Sequence, residues 1–355
     1  MFRKNKAIAV VMMINFLCLT PVPSLADNRD RELKVMTYNM YLGAELGEIF
    51  TAPTPTDVLL EVGEAYTDML AGNVPERISA IADQIEDGAP VLVGLQEVAL
   101  WRVGPPFDPS PATTVTYDFL QMLLEELDER GLRYEPIAIQ TNLEAELPGV
   151  LSPTLALDIS YTDRVVILAR TDLPESEFKL EETNAESFVT VLQVPVLGQT
   201  ITVLRGWTSA DVKFRGKPYR FVNAHLESFV DLIQYAQANE LVEGPANTDS
   251  AVILVGDFNS DAEAGGVSYG ILTGSGLSDV WSEVNAGNPG FTWALSGEIP
   301  SSEMIPTQRL DRILAKGRVT FSDADVVGEE AADKTPSGFR PSDHAGVIAS
   351  VVLEP

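Results

Sequence analysis

Residues 251–259 read Ala-Val-Ile-Leu-Val-Gly-Asp-Phe-Asn. Ala251 to Val255 are all apolar, three of them β-branched, and no charge interrupts them, so the run predicts a short strand buried on both faces. Asp257 and Asn259 follow immediately, at the end of that strand, where a buried sheet opens to a cleft. The same grammar recurs on either side. Leu33 to Asn39 predicts a strand running into Gly43, Val91 to Gln96 one that ends in Gln96-Glu97, and Tyr219 to His225 one that ends in a histidine. Ser342-Asp343-His344 precedes a strand over Val347 to Leu353, and Arg164 to Ala169, Ile201 to Trp207 and Leu310 to Leu314 are further strand runs.

Helices lie between them. Ile78, Ile81, Ala82 and Ile85 recur at helical spacing ahead of Gly88. Asp118 opens a helix whose apolar side is Phe119, Leu120, Leu123, Leu124 and Leu127, with Gly131 as its stop. Asp231 to Leu241 is a third. Thr51 to Thr56, Gly104 to Pro111 and Gly287 to Pro306 are rich in Pro and Gly and are expected to be loops. Many strands with interspersed helices and hairpin-length links predict a layered α/β sandwich with mixed sheets.

The chain has 355 residues, 45% of them apolar, which is ample for a buried core and excludes disordered or collagen-like classes. Arg3, Lys4 and Lys6, the uncharged run Ala7 to Leu25 and the ending Ser24-Leu25-Ala26 have the layout of a secretory signal peptide over residues 1–26. Export to the periplasm or beyond is expected, with one catalytic domain over residues 27–355. Pro21 and Pro23 interrupt the run short of a spanning length, and no later segment is apolar enough to cross a membrane. Cys18, the single cysteine, lies in the leader, leaving no disulfide to the mature chain. The formal charge of −28 repels polyanions unless metal ions or a local basic patch intervene, and no basic stripe interleaved with aromatics marks a groove for nucleic acid.

Taken singly, each polar strand end has an ordinary explanation. Asn39 and Asn259 are common turn formers, Glu97, Asp257 and Asp343 common caps, and a lone histidine is usually a satisfied core or surface residue. Taken jointly they form a pattern. Thr37-Tyr38-Asn39, Leu95-Gln96-Glu97, Asn223-Ala224-His225, Gly256-Asp257-Phe258-Asn259, Leu310-Asp311-Arg312-Ile313 and Ser342-Asp343-His344 stand in the order found in the endonuclease/exonuclease/phosphatase superfamily. The chain resembles that superfamily over nearly its whole length. The resemblance implies a DNase-I-like α/β fold, a four-layer sandwich of two mixed β-sheets flanked by helices, and metal-dependent hydrolysis of phosphate esters.

It also implies roles. Glu97, with Asn39 and Asp343, would hold Mg²⁺, or Mn²⁺ in its place, since such ions prefer hard oxygen ligands. His344 would serve as base or phosphate-stabilising donor with Asp311 orienting its ring, His225 would donate to a phosphoryl oxygen, and Asp257 would position or deprotonate the attacking water. Asn259 and Asn39 would hold the phosphate. Tyr161 and Arg164 are further candidates for phosphate contact, and Trp281 and Trp293 border the implied cleft. Substrates consistent with the acidic chain are a phospholipid head group, an inositol phosphate or a nucleotide, with nucleic acid as an alternative. Two other classes fit less well. Gly266-Val267-Ser268-Tyr269-Gly270 matches a nucleophile elbow but lacks the apolar strand that must precede one, and a non-catalytic phosphate-binding module has no use for the full set of carboxylates, amides and histidines.

Overall fold

Alternating side-chain direction along the apolar strands generates three separate cores, and these define the layers. The computed structural model describes residues 32–294 and 305–354. The expected signal peptide and residues 295–304 of the expected loop lie outside them.

The first sheet begins with β1 (Glu32–Asn39), β2 (Leu92–Gln96), β3 (Leu100–Gly104) and β4 (Thr114–Asp118). It adds the long hairpin of β5 (Tyr134–Ser152) and β6 (Leu155–Arg170). The second sheet starts with β7 (Phe178–Ser187), and the hairpin β8 (Leu192–Val196) and β9 (Gln199–Val203) stands apart as its own small sheet. β10 (Gly206–Phe214), β11 (Lys217–His225), β12 (Ala251–Asp257), β13 (Ser278–Asp279) and β14 (Asp311–Lys316) complete the second sheet. β15 (Val319–Val327) and β16 (Gly346–Leu353) return to the first. The first sheet has the order β15-β16-β1-β2-β6-β3-β4 with β5 against β6, and the second β13-β14-β12-β11-β10-β7. Parallel pairs, β1 with β2 and β11 with β12, sit among antiparallel ones, so both sheets are mixed.

Seven helices are described: α1 (Gly47–Thr51), α2 (Pro55–Ala71), α3 (Val74–Gly88), α4 (Phe119–Glu129), α5 (Asp231–Glu243), α6 (Val267–Gly274) and α7 (Val280–Val284). Met36 and Tyr38 of β1 and Val93 and Leu95 of β2 pack outward on Ile78 and Ile81 of α3 and on Phe119 and Leu123 of α4. Leu33, Val35 and Ile167 turn the other way and meet Phe221, Ile253, Val255 and Ile313 of the second sheet. On the far side Val222, Ala224, Val252 and Leu254 pack on Ala238 and Leu241 of α5 and Leu272 of α6. The molecule is the expected α/β sandwich of helices, sheet, sheet and helices.

The sheets are drawn together at Gly94, where a Cβ would meet Val255 Cγ2 at 2.5 Å and Asn223 Oδ1 at 2.9 Å. A buried amide bridge forms beside it. Gln96 Nε2 donates to Asn223 Oδ1 (2.6 Å), and Asn223 Nδ2 donates to the carbonyls of Leu95 and Val166 (3.0 Å each).

Three expectations need correction. Ile201 to Trp207 is two strands, because Arg205 takes a left-handed backbone (φ +41°) between β9 and β10. Thr51 to Thr56 is not all loop, because Thr54 caps α2 by accepting from Asp57 N with Pro55 as first helical residue. Arg164 to Ala169 is the end of a strand of 16 residues. Its partner β5 was hidden by Pro136 and Pro148 and by bulges that break the alternation.

Candidate active site

The parity of the central core aims the site. Ile253 and Val255 point between the sheets, and two residues further on so does Asp257; the same counting carries His225 on β11, Asp311 on β14 and Asn39 on β1 to that space. Cross-strand register then sets them side by side, His225 opposite Asp257 and Asp257 opposite Asp311. The inter-sheet core thus ends in a row of polar groups. Asn39, His225, Asp257 and Asp311 are each no more than 1% exposed and His344 is 6% exposed, which is burial that demands partners.

Asp257 is the hub. Its Oδ2 lies 3.1 Å from Asn39 Nδ2, 3.5 Å from His225 Nε2 and 3.8 Å from His344 Nε2, while Oδ1 accepts from Asn259 N at 2.9 Å. Burial raises its carboxyl above the usual range, His344 opposes that rise and Asp311 adds to it. His344 is seated by its neighbours. Ser342 Oγ donates to Asn39 O (2.7 Å) and accepts from His344 N (3.1 Å), and the ring's Nδ1 is 2.7 Å from Asp311 Oδ2. Asp311 is itself placed by Thr292, whose Oγ1 accepts from the backbone N–H groups of Leu310 and Asp311. Burial works to lower the His344 pKa, but Asp311, Asp343 and Asp257 outweigh it and raise it well above the ordinary value, so the ring is an imidazolium at neutral pH.

His225 has the opposite surroundings. Arg205 Nη1 lies 2.8 Å from its Nδ1 and 3.0 Å from Nε2, and Asn259 Nδ2 is 3.1 Å from Nε2. Burial, then Arg205, then His344 lower its pKa well below the ordinary value, so the ring stays neutral. A neutral ring accepts through one nitrogen and keeps an N–H on the other. Asn259, in a left-handed conformation (φ +48°), also donates to Leu226 O (3.0 Å) and so pins the turn after β12 to the end of β11.

The metal candidates share a wall. Glu97 leaves β2 at φ +52°. Its carboxylate accepts from Asn39 Nδ2 (3.1 Å) and Leu42 N (2.8 Å). Asp343 and Glu45 line the same cleft, and burial pushes the Asp343 carboxyl up to about 7, with His344 opposing and Glu97 and Glu45 reinforcing. Three carboxylates facing one space, two of them raising the pKa of the third, are the hard, charge-rich donor set that a small divalent cation fits. Asp257, Asp311 and His344 also bring possible ligand atoms within 4.8 Å of one another. The Asp311–His344 hydrogen bond already occupies that cluster, so the Glu97 wall is the better match.

The cleft itself is lined by Glu97, Asp343, Tyr161, Asp163 and Arg205 among others. Tyr161 Oη is buried without a hydrogen-bond partner. Arg164, one residue out of phase with Tyr161 and Asp163, is not brought there. Its guanidinium donates to the carbonyls of Val98 and Ala99 and to Asp118 Oδ1 (2.6 Å), so the expected phosphate contact is in fact a structural ion pair. The basic group that does reach the cleft is Arg205. Reading Ile201 to Trp207 as one strand concealed it, although Arg-Gly between two β-branched runs is a break signal. Glu45 and Asp163 had no comparable signal. Trp293 lies beside the dyad, its ring 6.2 Å from that of His344, whereas Trp281 is buried and donates to Asn288 O. Ser268 is fully buried and donates to Gln234 Oε1, which rules it out as a nucleophile.

A family model described as the Endonuclease/Exonuclease/phosphatase family matches residues 36–344. The chain belongs to this family. The endonuclease/exonuclease/phosphatase family member described here is therefore a metal-dependent phosphoric ester hydrolase. Its fold is similar to that of a family protein from Bacteroides thetaiotaomicron (17% identity, TM-score 0.56, 91% of this chain and 95% of that one). It is also similar to a mannosyl-6-phosphatase from the same organism (19%, TM-score 0.55, 90% and 100%). A third likeness is TDP2 of D. rerio complexed with a single-strand DNA product (17%, TM-score 0.51, 90% and 98%). No curated protein matches the family member in sequence. Among the described residues no helix is long and apolar enough to cross a membrane.

Proposed function

We propose that this family member is a Mg²⁺-dependent phosphodiesterase, exported by residues 1–26 and acting through a single catalytic domain over residues 27–355. The observation that carries the reading is the convergence of Asn39, Glu97, Asp257, Asn259, Asp311, Asp343 and His344 at the open end of the inter-sheet core. Mn²⁺ fits the same oxygen donors. A diester is favoured over a monoester by charge. The cleft is lined by Glu45, Glu97, Asp163 and Asp343 against Arg205, and a phosphodiester brings one negative charge where a monoester brings close to two.

Glu97, Asn39 and Asp343 would hold the ion. When bound, it supplies neutralisation of charge on the phosphoryl and leaving oxygens. Asp257 stands where it can orient the attacking water, and its raised pKa makes it the stronger base. As the water oxygen bonds to phosphorus and the ester P–O bond breaks, Asp257 takes the water proton. The departing oxygen takes its proton from solvent. His344 gives a charge-assisted hydrogen bond to a phosphoryl oxygen from Nε2, held in that orientation by Asp311 at Nδ1. Tyr161 Oη is a further donor to the phosphate, while Asn259 Nδ2 spends its hydrogens on His225 and Leu226 O and so shapes the turn beside Asp257. His225 acts through others, fixing Arg205 and Asn259 by accepting from them.

Purified protein should hydrolyse bis-p-nitrophenyl phosphate with added Mg²⁺ or Mn²⁺ and lose that activity in EDTA. The reading fails if metal-loaded protein turns over neither this diester nor any of DNA, RNA, phospholipids and inositol phosphates.

A further inference from the structure

Beside the cleft lies a second, apolar recess that no catalytic role uses. Leu46, Phe50, Leu143 and Tyr161 line both spaces, so the two are adjacent, and Ala145 and Ile159 line only the second. Its walls are carbon. Of its two polar side chains, Trp101 spends its N–H on Leu42 O (3.0 Å) inside the protein. The other, Tyr161, stands at the junction with a buried hydroxyl that has no partner. Within a few ångströms the lining changes from the carboxylates of Glu97 and Asp343 to uninterrupted aliphatic and aromatic surface. A pocket that couples an apolar chamber to a few convergent polar groups recognises a ligand with the same two halves. Phe50 meets Phe229 edge to face at the mouth (5.9 Å), and Phe229 is 53% exposed, so the apolar surface continues to the outside of the molecule.

We propose that the substrates of this family member are amphiphilic phosphodiesters, whose phosphate lies in the acidic cleft and whose apolar alkyl or aryl group fills the chamber behind Tyr161. Tyr161 is then the hinge of recognition: its ring walls the apolar side, and its hydroxyl donates to the phosphate. The inference rests on the phosphodiesterase reading above and narrows its substrate class. An unfilled apolar chamber forfeits dispersion contacts on its inner walls, and burying a substrate methylene there recovers them.

The test is a series of p-nitrophenyl alkyl phosphodiesters, methyl through octyl, assayed with Mg²⁺ below the concentration at which any of them aggregates. The leaving group is constant, so only the retained alkyl group varies. We expect kcat/KM to rise about fourfold for each added methylene until the chamber is full. Ala145→Phe, which fills the chamber from β5, is expected to leave the methyl ester within about twofold of wild type and to flatten the series; Ala145→Leu should do so partially. Equal kcat/KM across the wild-type series would overturn the chamber as a subsite. So would a slope that folded Ala145→Phe or Ala145→Leu protein retains. Turnover of no ester in the series, the methyl ester included, would instead overturn the phosphodiesterase reading on which the proposal stands.

Discussion

Around His344 three acids gather, whereas His225 meets Arg205 and Asn259 as well as Asp257. Asp311, Asp343 and Asp257 keep a proton on the first ring, while burial and Arg205 keep one off the second. The roles of the two follow from this difference of field. His344→Ala should lower kcat on bis-p-nitrophenyl phosphate by roughly 10²–10⁴-fold with little change in fold, as checked by circular dichroism. Asp311→Asn removes the carboxylate that contributes most to raising the His344 pKa. The alkaline limb of the pH–rate profile should therefore move to lower pH, and an unmoved limb would detach Asp311 from His344. Asp163 offers a stability test. Burial raises its carboxyl from 3.8 to about 7, with Arg205 opposing. The fold therefore prefers the protonated acid, so the contribution to stability is full below about pH 4 and is lost as pH rises to 7. In urea melts between pH 5 and 7.5, Asp163→Asn should gain on wild type by on the order of 1 kcal/mol per pH unit up to pH 7.

At the scale of the element, the inter-sheet contact at Gly94 is the most sensitive point. Any side chain there meets Val255 and Asn223 below contact distance. Gly94→Val should destabilise by about 3 kcal/mol or more, measured by chemical denaturation, while Gly270→Ala, with open space around it and no left-handed φ, should cost far less. Elements with a one-letter code of period or cap were legible from sequence. β12, β11 and β1 were found by unbroken apolar runs, and α4 by Asp118, whose carboxylate accepts from Leu120 N and Gln121 N. What escaped notice was written in mixed code. Most of β5 is half-exposed, carries Pro136 and Pro148 and pairs with β6 through three register shifts, and such a segment loses the alternation that a strand search depends on. The start of α2 was legible in principle, since Thr54-Pro55 followed by Asp57 is an N-terminal signature.

For the whole molecule, Asn39, His225, Asp257 and Asp311 come together because they obey one parity, inward between the sheets, while Glu97 and His344 reach the same space from turns. Arg205, Glu45 and Asp163 were not legible, for they reach the cleft from a left-handed link, a loop and a strand face whose direction only the tertiary structure sets. The net charge of −28 leads to a prediction at this scale. A divalent ion bound at the Glu97 wall relieves like-charge repulsion and binds only the folded state. Saturating Mg²⁺ at about 100 times its Kd should add about 2.7 kcal/mol to stability, seen as a rise in Tm that EDTA reverses. Glu97→Gln should shrink that rise, whereas an unchanged rise would place the ion elsewhere.

β16 does not sit at the rim of its sheet but between β15 and β1, pairing Glu32 with Val352 at one end and Thr37 with Val347 at the other. The sheet that presents Asn39 and Glu97 therefore has an internal gap until the final strand arrives, and the Ser342-Asp343-His344 turn arrives with it. The Ser342 Oγ bond to Asn39 O beside that pairing joins residues 303 apart in sequence. Contacts between such distant parts of a chain form slowly. Seating His344 beside Asp257 waits on the long-range pairing of β1 with β16, so catalytic competence is expected among the later gains of folding.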